Sequence, residues 1–210
     1  MKPRLLDLFC GAGGAGMGYH LAGFEVVGVD IVDQPKYPFT FIRDDALEVL
    51  RDTDVLGAYD AVHASPTCQT RARVTAWRGS RDDHPDTLTP TLMALSVTDR
   101  PWVVENVPEA SVMGDMRPDY RLCGTQFGLR VRRHRDFMVG NWSGFELLPR
   151  CSCYRNRRLL PFGHKDGRAF ADAMGCTWMS KFEGRQAIPP AYTRFIGEQL
   201  LSHLSSAVTS

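Results

Sequence analysis

The stretch RLLDLFCGAGGAGMGYHLAGFEVVGVDI (Arg4–Ile31) decides the fold. Its first apolar run, Arg4–Phe9, reads as a buried strand and leads directly into a glycine-rich turn, Cys10–Gly18. Helical spacing overlaps that turn and stops at Gly23; a second apolar run, Phe24–Ile31, then ends in an acid, Asp30. Strand, glycine turn, helix, strand and acid make one βαβ unit, the beginning of a doubly wound sheet. Gly11, Gly13 and Gly14 stand at the carboxyl end of the first strand, where open α/β sheets bind ligands and where the backbone must approach a ligand closely. The pattern is not the usual dinucleotide fingerprint, and a glycine loop by itself also serves as a plain tight turn. Asp30 can accept hydrogen bonds from a ribose diol or can form a turn. Asp45 can accept from an adenine amino group, although Asp44 or Asp45 can equally cap the helix that follows.

The rest of the chain agrees with an α/β domain. Further apolar runs occur at YDAVHAS (Tyr59–Ser65), WVVENV (Trp102–Val107) and DFMVGN (Asp136–Asn141). TLMALSV (Thr91–Val97) reads as helical, as does PAYTRFIGEQLLSHL (Pro190–Leu204), which has proline at its start. A length of 210 residues suits one domain, or one with a small appendage. With 43% hydrophobic and 23% charged residues the composition is that of a globular protein, and no apolar run is long enough to span a membrane. The start, MKPRLLDLFCGAGG, lacks a signal peptide's apolar core, and six irregularly spaced cysteines do not form a disulfide framework. A cytoplasmic, reducing location is expected.

The formal net charge of +1 hides an asymmetry. Residues 1–116 carry ten Lys/Arg against seventeen Asp/Glu, whereas residues 117–168 carry twelve against four. A basic block of that kind is the footprint of a surface facing a polyanion, or else a solvated arginine-rich face.

Three stretches carry the chemistry. YDAVHAS ends in Pro66 and then presents Cys68, which is either a buried filler or an exposed nucleophile. VVENV brings Glu105 to a strand end, where a partly desolvated carboxyl group tends to hold a proton that it can donate, although a glutamate there is by itself more often a salt-bridge partner. LRVRRHRDF (Leu129–Phe137) places Arg133 and Arg135 two apart on one face of an extended segment, suited to gripping a phosphate or a pyrimidine carbonyl.

Taken in order, DLFCGAGG, GVDI, SPTCQ, VVENV, RRHRDF and AIPPAYTRFIGEQL closely resemble the DNA (cytosine-5) methyltransferase family, over about residues 5–201. LCGTQFGLRVRRHRDF and AIPPAYTRFIGEQL look particularly like compact, phage-type members. The resemblance implies a doubly wound, Rossmann-like fold that binds S-adenosylmethionine. Phe9, Gly11, Gly13 and Gly14 would border its methionine and adenosine, Asp30 the ribose and Asp45 the adenine, with Ile31, Ala46 and Pro66 completing the pocket. It further implies that Cys68 adds to C6 of a flipped-out cytosine, that Glu105 protonates N3, and that Arg135 contacts the cytosine carbonyl while Arg133 supports the site or a phosphate. The same chemistry on RNA or another acceptor, or a non-catalytic binding module, are the alternatives.

This chain departs from the family pattern in places. Thr67 stands where members usually have a second proline, Asp30 where many have glutamate, and Arg185–Gln186 near a usual Gly-Asn. Only about 45 residues separate Arg135 from the final motif, far fewer than a typical target-recognition domain occupies. The expected organisation is a catalytic and cofactor-binding core over 1–141, a short basic recognition segment over 142–183, and a C-terminal motif and helix over 184–210 that complete the core. Such a segment grips phosphates but offers little surface to read bases, so short or loose specificity is expected, or a partner protein or homodimer supplying the missing surface. Cys151, Cys153, His164 and Cys176 invite a zinc reading, but the C-x-C spacing is not the usual C-x₂-C and no second matching pair follows; no metal site is assigned from sequence. Cys10 and Cys123, in apolar or glycine-rich surroundings, read as packing residues.

Overall fold

A computed structural model describes residues 1–67, 85–155, 159–161 and 165–207. Cys68, with Gln69, and His164 therefore lie outside the described residues. The sheet is built on β1 (Arg4–Leu8), β2 (Glu25–Asp30), β3 (Thr40–Arg43), β4 (Ala61–Ala64) and β5 (Trp102–Asn106), and is completed by β6 (Tyr120–Cys123) and β8 (His134–Gly140). Its order is β3-β2-β1-β4-β5-β8-β6, and every pairing from β3 to β5 is parallel. β8 alone runs antiparallel, inserted between β5 and β6. A separate two-stranded ribbon joins β7 (Val131–Arg132) to β9 (Leu160–Pro161).

The central strands are apolar because both of their faces are covered. On one face Leu6, Leu8, Val27, Val62 and Val104 pack under α2 (Ala46–Arg51) and α4 (Leu88–Ser96), with α3 (Thr53–Gly57) linking to β4. On the other face Leu5, Val26, Ala61 and Val103 meet α1 (Gly14–Ala22) and α8 (Pro190–Ala207). α1 and α8 approach closely: a Cβ at Gly18 would stand 2.0 Å from Thr193 Oγ1 and 2.2 Å from the Pro190 carbonyl oxygen. The Thr193 hydroxyl donates to the Ala15 carbonyl at 2.8 Å across the same contact. The glycine-rich α1 thus gives up helix propensity to gain backbone proximity.

α5 (Pro108–Val112) begins after Val107, with proline at its first position, where a missing N–H costs nothing. Among the described residues, the chain beyond β8 is largely irregular until α6 (Gly167–Ala173) and α7 (Lys181–Gln186). This part is welded to the sheet domain. Trp142 and Phe145 join the α8 side of the core, while Phe170, Met174, Cys176 and Met179 close over Ala12 and Val131. Trp178 Nε1 donates to the Ala12 carbonyl at 2.8 Å, so the segment after β8 reaches back to the glycine turn.

β3 and β6 were not evident in the sequence. β3 is a short edge strand whose residues are mostly exposed, so it carries no apolar alternation. β6 contains Arg121, whose guanidinium folds onto the fully buried Asp136 of β8 with contacts of 2.6 and 2.7 Å. That charge in a four-residue strand masks its apolar character. No helix among the described residues is long and apolar enough to cross a membrane.

Candidate active site

The carboxyl ends of β1, β2, β4 and β5 point to one edge of the sheet, and the order reverses between β1 and β4. That reversal makes the crevice in which such sheets hold ligands. The turn after β1 begins with Phe9 in a left-handed conformation (φ 55°), a strained state for an aromatic residue. Gly13 follows with φ 83°, and a Cβ there would lie 2.8 Å from Pro38 Cδ, so both its backbone and its surroundings demand glycine.

Asp30, at the tip of β2, accepts from the Gly11 N–H at 2.9 Å and from the Val32 N–H at 3.0 Å. The turn-forming and the ligand-binding readings of Asp30 are therefore compatible: each oxygen uses one lone pair and keeps another. The carboxylate pins the glycine turn while remaining able to accept from a diol. Beside it Ile31 is 63% exposed, an apolar side chain left open at the crevice. Asp45 caps α2 by accepting from the Leu47 N–H at 2.8 Å, and Asp44 accepts from the Asp45 N–H at 2.8 Å. Ala46 is buried beneath that turn. Next to Gly11 the space a Cβ would enter is empty to 4 Å.

Under the turn lies Asp7, which sequence reading passed over inside DLFCGAGG. It is fully buried, accepts from the Tyr37 hydroxyl at 3.1 Å, and pairs in register with Gly28 and His63. Burial pushes its carboxyl up to about 8 against the opposing pull of the Tyr37 and Gly16 hydrogen bonds, so Asp7 is protonated at neutral pH. His63 is also fully buried, between the Tyr19 hydroxyl at 3.0 Å and Ser65 Oγ at 2.8 Å; burial pushes it down to about 3, so it is neutral.

The turn after β4 is held by three tethers. Ser65 N–H donates to the Leu8 carbonyl at 3.0 Å, Asn106 Nδ2 donates to the Pro66 carbonyl at 3.2 Å, and Thr67 N–H donates to Thr87 Oγ1 at 2.9 Å. The hydroxyls of Thr67 and Thr87 also lie 2.9 Å apart. A proline at position 67 has no N–H to give, so the departure from the family pattern replaces a fixed φ with a hydrogen-bonded anchor. Asn106 is the residue that couples this turn to β5, since its side chain spans from one strand end to the other.

Glu105 is nearly buried at the end of β5. Its Oε1 lies 2.6 Å from Arg135 Nε, an ion pair whose geometry is not that of an aligned hydrogen bond. Burial raises its proton affinity, while Arg135 first and then Arg133 oppose the rise; the balance remains above the ordinary carboxylate value. The two arginines do not stand alike. Arg135 belongs to β8 and reaches Glu105, whereas Arg133 lies between β7 and β8, is buried, and donates through Nη2 to the Gln186 carbonyl at 2.9 Å. Asp136 does not compete for Arg135, because Arg121 and the Ser111 hydroxyl (2.6 Å) engage both its oxygens. The antiparallel entry of β8 produces this arrangement: it sets Asn106 opposite Asp136 and leaves Arg135 just past the tip of β5.

Of the four residues of the zinc reading, His164 lies outside the described residues and Cys176 stands apart from Cys151 and Cys153. Cys176 is buried among Phe170, Met174 and Met179, with its sulfur 3.9 Å from the Ile188 carbonyl. Cys151 and Cys153 meet His134 and Cys123 instead. Cys123 is buried, in keeping with a packing residue, and the β6–β8 register also sets it directly opposite His134.

No protein-family profile matches the chain, and no curated protein matches it either. Among solved structures, the Entamoeba histolytica methyltransferase EhMeth is similar over 99% of this chain and 99% of its own, at 11% identity and a TM-score of 0.60. The S. pombe Dnmt2 methyltransferase is similar over 99% of both chains, at 14% identity and a TM-score of 0.58. These likenesses establish the fold, a Rossmann-like α/β sheet like that of those two proteins. A DNA modification methyltransferase described from an E. coli prophage is 18% identical over 66% of this chain, which spans 46% of that protein's length; its TM-score of 0.47 is too low to bear on the fold.

Proposed function

We propose that this chain transfers a methyl group from S-adenosylmethionine to C5 of cytosine in DNA, with Cys68 as the nucleophile. The observation that carries the reading is the Asn106–Pro66 hydrogen bond, which ties the turn leading into Cys68 to the strand end that bears Glu105. A module that only bound a cofactor would need no such tether between the turn before Cys68 and the strand end that bears Glu105.

The crevice residues suit the cofactor. Asp30 has spare lone pairs that would accept from the ribose hydroxyls, Ile31 would offer an apolar face to the adenine, Asp45 would accept from its amino group, and the open space beside Gly11 would take the methionine portion. On the family resemblance, Phe9, Gly13, Gly14, Ala46 and Pro66 would belong to the same pocket. When bound, S-adenosylmethionine supplies an electrophilic sulfonium methyl group.

The protein's own groups make cytosine C5 reactive enough to take it. The Cys68 thiolate adds to C6, and a proton from Glu105 on N3 lets the ring accept the electron pair as an enamine. After transfer, a base or water takes the C5 proton, its bonding electrons re-form the C5–C6 double bond, and the C6–S bond breaks to release the Cys68 thiolate. The Glu105–Arg135 pair suggests how the acid is primed. As Arg135 turns to the cytosine carbonyl it withdraws the cation that opposes the rise in the proton affinity of Glu105, and burial favours the proton further. Arg133, fixed on the Gln186 carbonyl, supports the site. The arginine-rich segment 142–183 supplies phosphate contacts, and its shortness implies a short target sequence.

The test is incubation with genomic DNA, and separately with RNA, using labelled cofactor, followed by nucleoside analysis. 5-Methylcytosine in DNA is expected, a 5-fluorocytosine substrate should form a covalent adduct, and Cys68→Ala should lose both while still binding cofactor. Turnover by Cys68→Ala, or label only in RNA, would overturn the proposal.

A further inference from the structure

We propose that Cys123, His134, Cys151 and Cys153 form a closed tetrahedral zinc site that ties the basic segment after β8 to the edge of the sheet. The four ligand atoms all lie within 4.8 Å of one another, and they come from three separate places in the chain. Cys123 ends β6, His134 begins β8 directly opposite it, and Cys151 and Cys153 flank the turn where the chain returns after leaving the sheet.

The spacings are those of a metal tetrahedron. With Zn–S near 2.3 Å and Zn–N near 2.0–2.1 Å, neighbouring sulfurs should stand about 3.8 Å apart, and sulfur and nitrogen about 3.6 Å apart. His134 Nε2 lies 3.3 Å from Cys151 Sγ and 3.5 Å from Cys153 Sγ, and the two sulfurs are 3.5 Å apart. A disulfide needs roughly 2.05 Å, so Cys151 and Cys153 are placed as co-ligands and not as a bonded pair. Three thiolates and one imidazole is a common structural zinc set; filling all four positions leaves none for a water or substrate, so the site is structural.

Polar groups around the ligands orient them, as metal sites require. The Gln126 side chain accepts from the Cys123 N–H at 2.7 Å and donates to the Pro149 carbonyl at 2.8 Å, linking the β6 turn to the entry of the Cys-x-Cys turn. The Thr125 hydroxyl lies 3.7 Å from Cys123 Sγ, and Arg132 Nη2 donates to the Cys153 carbonyl at 3.1 Å. The position also matters. His134 stands between Arg133 and Arg135, so a metal there would pin the start of β8 and the arginine that meets Glu105.

The full chain, expressed with zinc and purified reduced without chelator, should hold about one zinc per chain by elemental analysis. Exchange into cobalt(II) should yield the visible absorption of a tetrahedral thiolate complex. The Cys151→Ser/Cys153→Ser double variant should lose at least nine-tenths of the metal and the cobalt spectrum. Chelation of wild type should lower its melting temperature and release four protected residues, three of them thiols, to modification. Wild type that takes up neither zinc nor cobalt with its thiols reduced, or a double variant that keeps full stoichiometry, would overturn the proposal. Because the first measurement uses wild type, failure of the variant to fold does not obscure the result. Metal content is also read without any turnover, so it stands apart from the test of methyl transfer.

Discussion

The Asp7 carboxyl should give the protein a pH dependence that one substitution removes. In the unfolded chain this group titrates near its ordinary value of 3.8, whereas burial holds it at about 8 in the folded chain. Between those values the native state binds one more proton than the unfolded state, so stability must fall as pH rises. The contribution is complete below about pH 4, declines by about 1.4 kcal/mol per pH unit, and is gone above about pH 8. From pH 6 to pH 9 the loss from this one group is about 2–3 kcal/mol. Asp7 has no exposed surface, so little solvent screening discounts that figure. The perturbation is Asp7→Asn, which keeps an acceptor for the Tyr37 hydroxyl but cannot ionise. The assay is urea unfolding of both proteins at intervals between pH 6 and 9, and the quantity compared is the difference in slope, not absolute stability. The wild type should weaken by about 2–3 kcal/mol more than the variant over that range. Tyr37→Phe provides a second test. It removes the hydrogen bond that stabilises the anion, so the decline should begin at the same pH but continue to higher pH. Parallel pH profiles for wild type and Asp7→Asn would refute the reasoning.

Two further outcomes are expected. Glu105→Gln keeps shape but loses the transferable proton, so single-turnover methyl transfer should slow by roughly two to four orders of magnitude; a loss of less than about tenfold would remove the acid role. Asp30→Ala strips both the acceptor of the Gly11 N–H and the expected ribose contact, so calorimetry should show S-adenosylmethionine affinity reduced by about 10- to 100-fold. Unchanged affinity would mean that Asp30 only shapes the turn.

What was legible from sequence was whatever depends on neighbours in the chain. The β1–turn–α1–β2 unit announces itself because a buried strand, a glycine turn and an acid at a strand tip have local composition and period, and Asp30 and Glu105 could be placed at strand ends for that reason. Helices α4 and α8 were visible from their spacing, with boundaries off by a few residues at most. Tertiary structure decided whatever depends on pairing across the chain. That β8 enters antiparallel, bringing Arg135 onto Glu105 thirty positions earlier, has no local signature. Neither does the proton on Asp7, a residue whose neighbours in sequence are ordinary; burial under α1 and Tyr37 creates it. The cysteines show the division most sharply. From spacing, Cys151 and Cys153 had only His164 and Cys176 as candidate partners and no second matching pair, because ligand motifs are recognised when both pairs lie close in sequence. Strand register supplied the other two, setting Cys123 across from His134, and register is fixed by the packing of whole faces, which no stretch of either strand specifies alone.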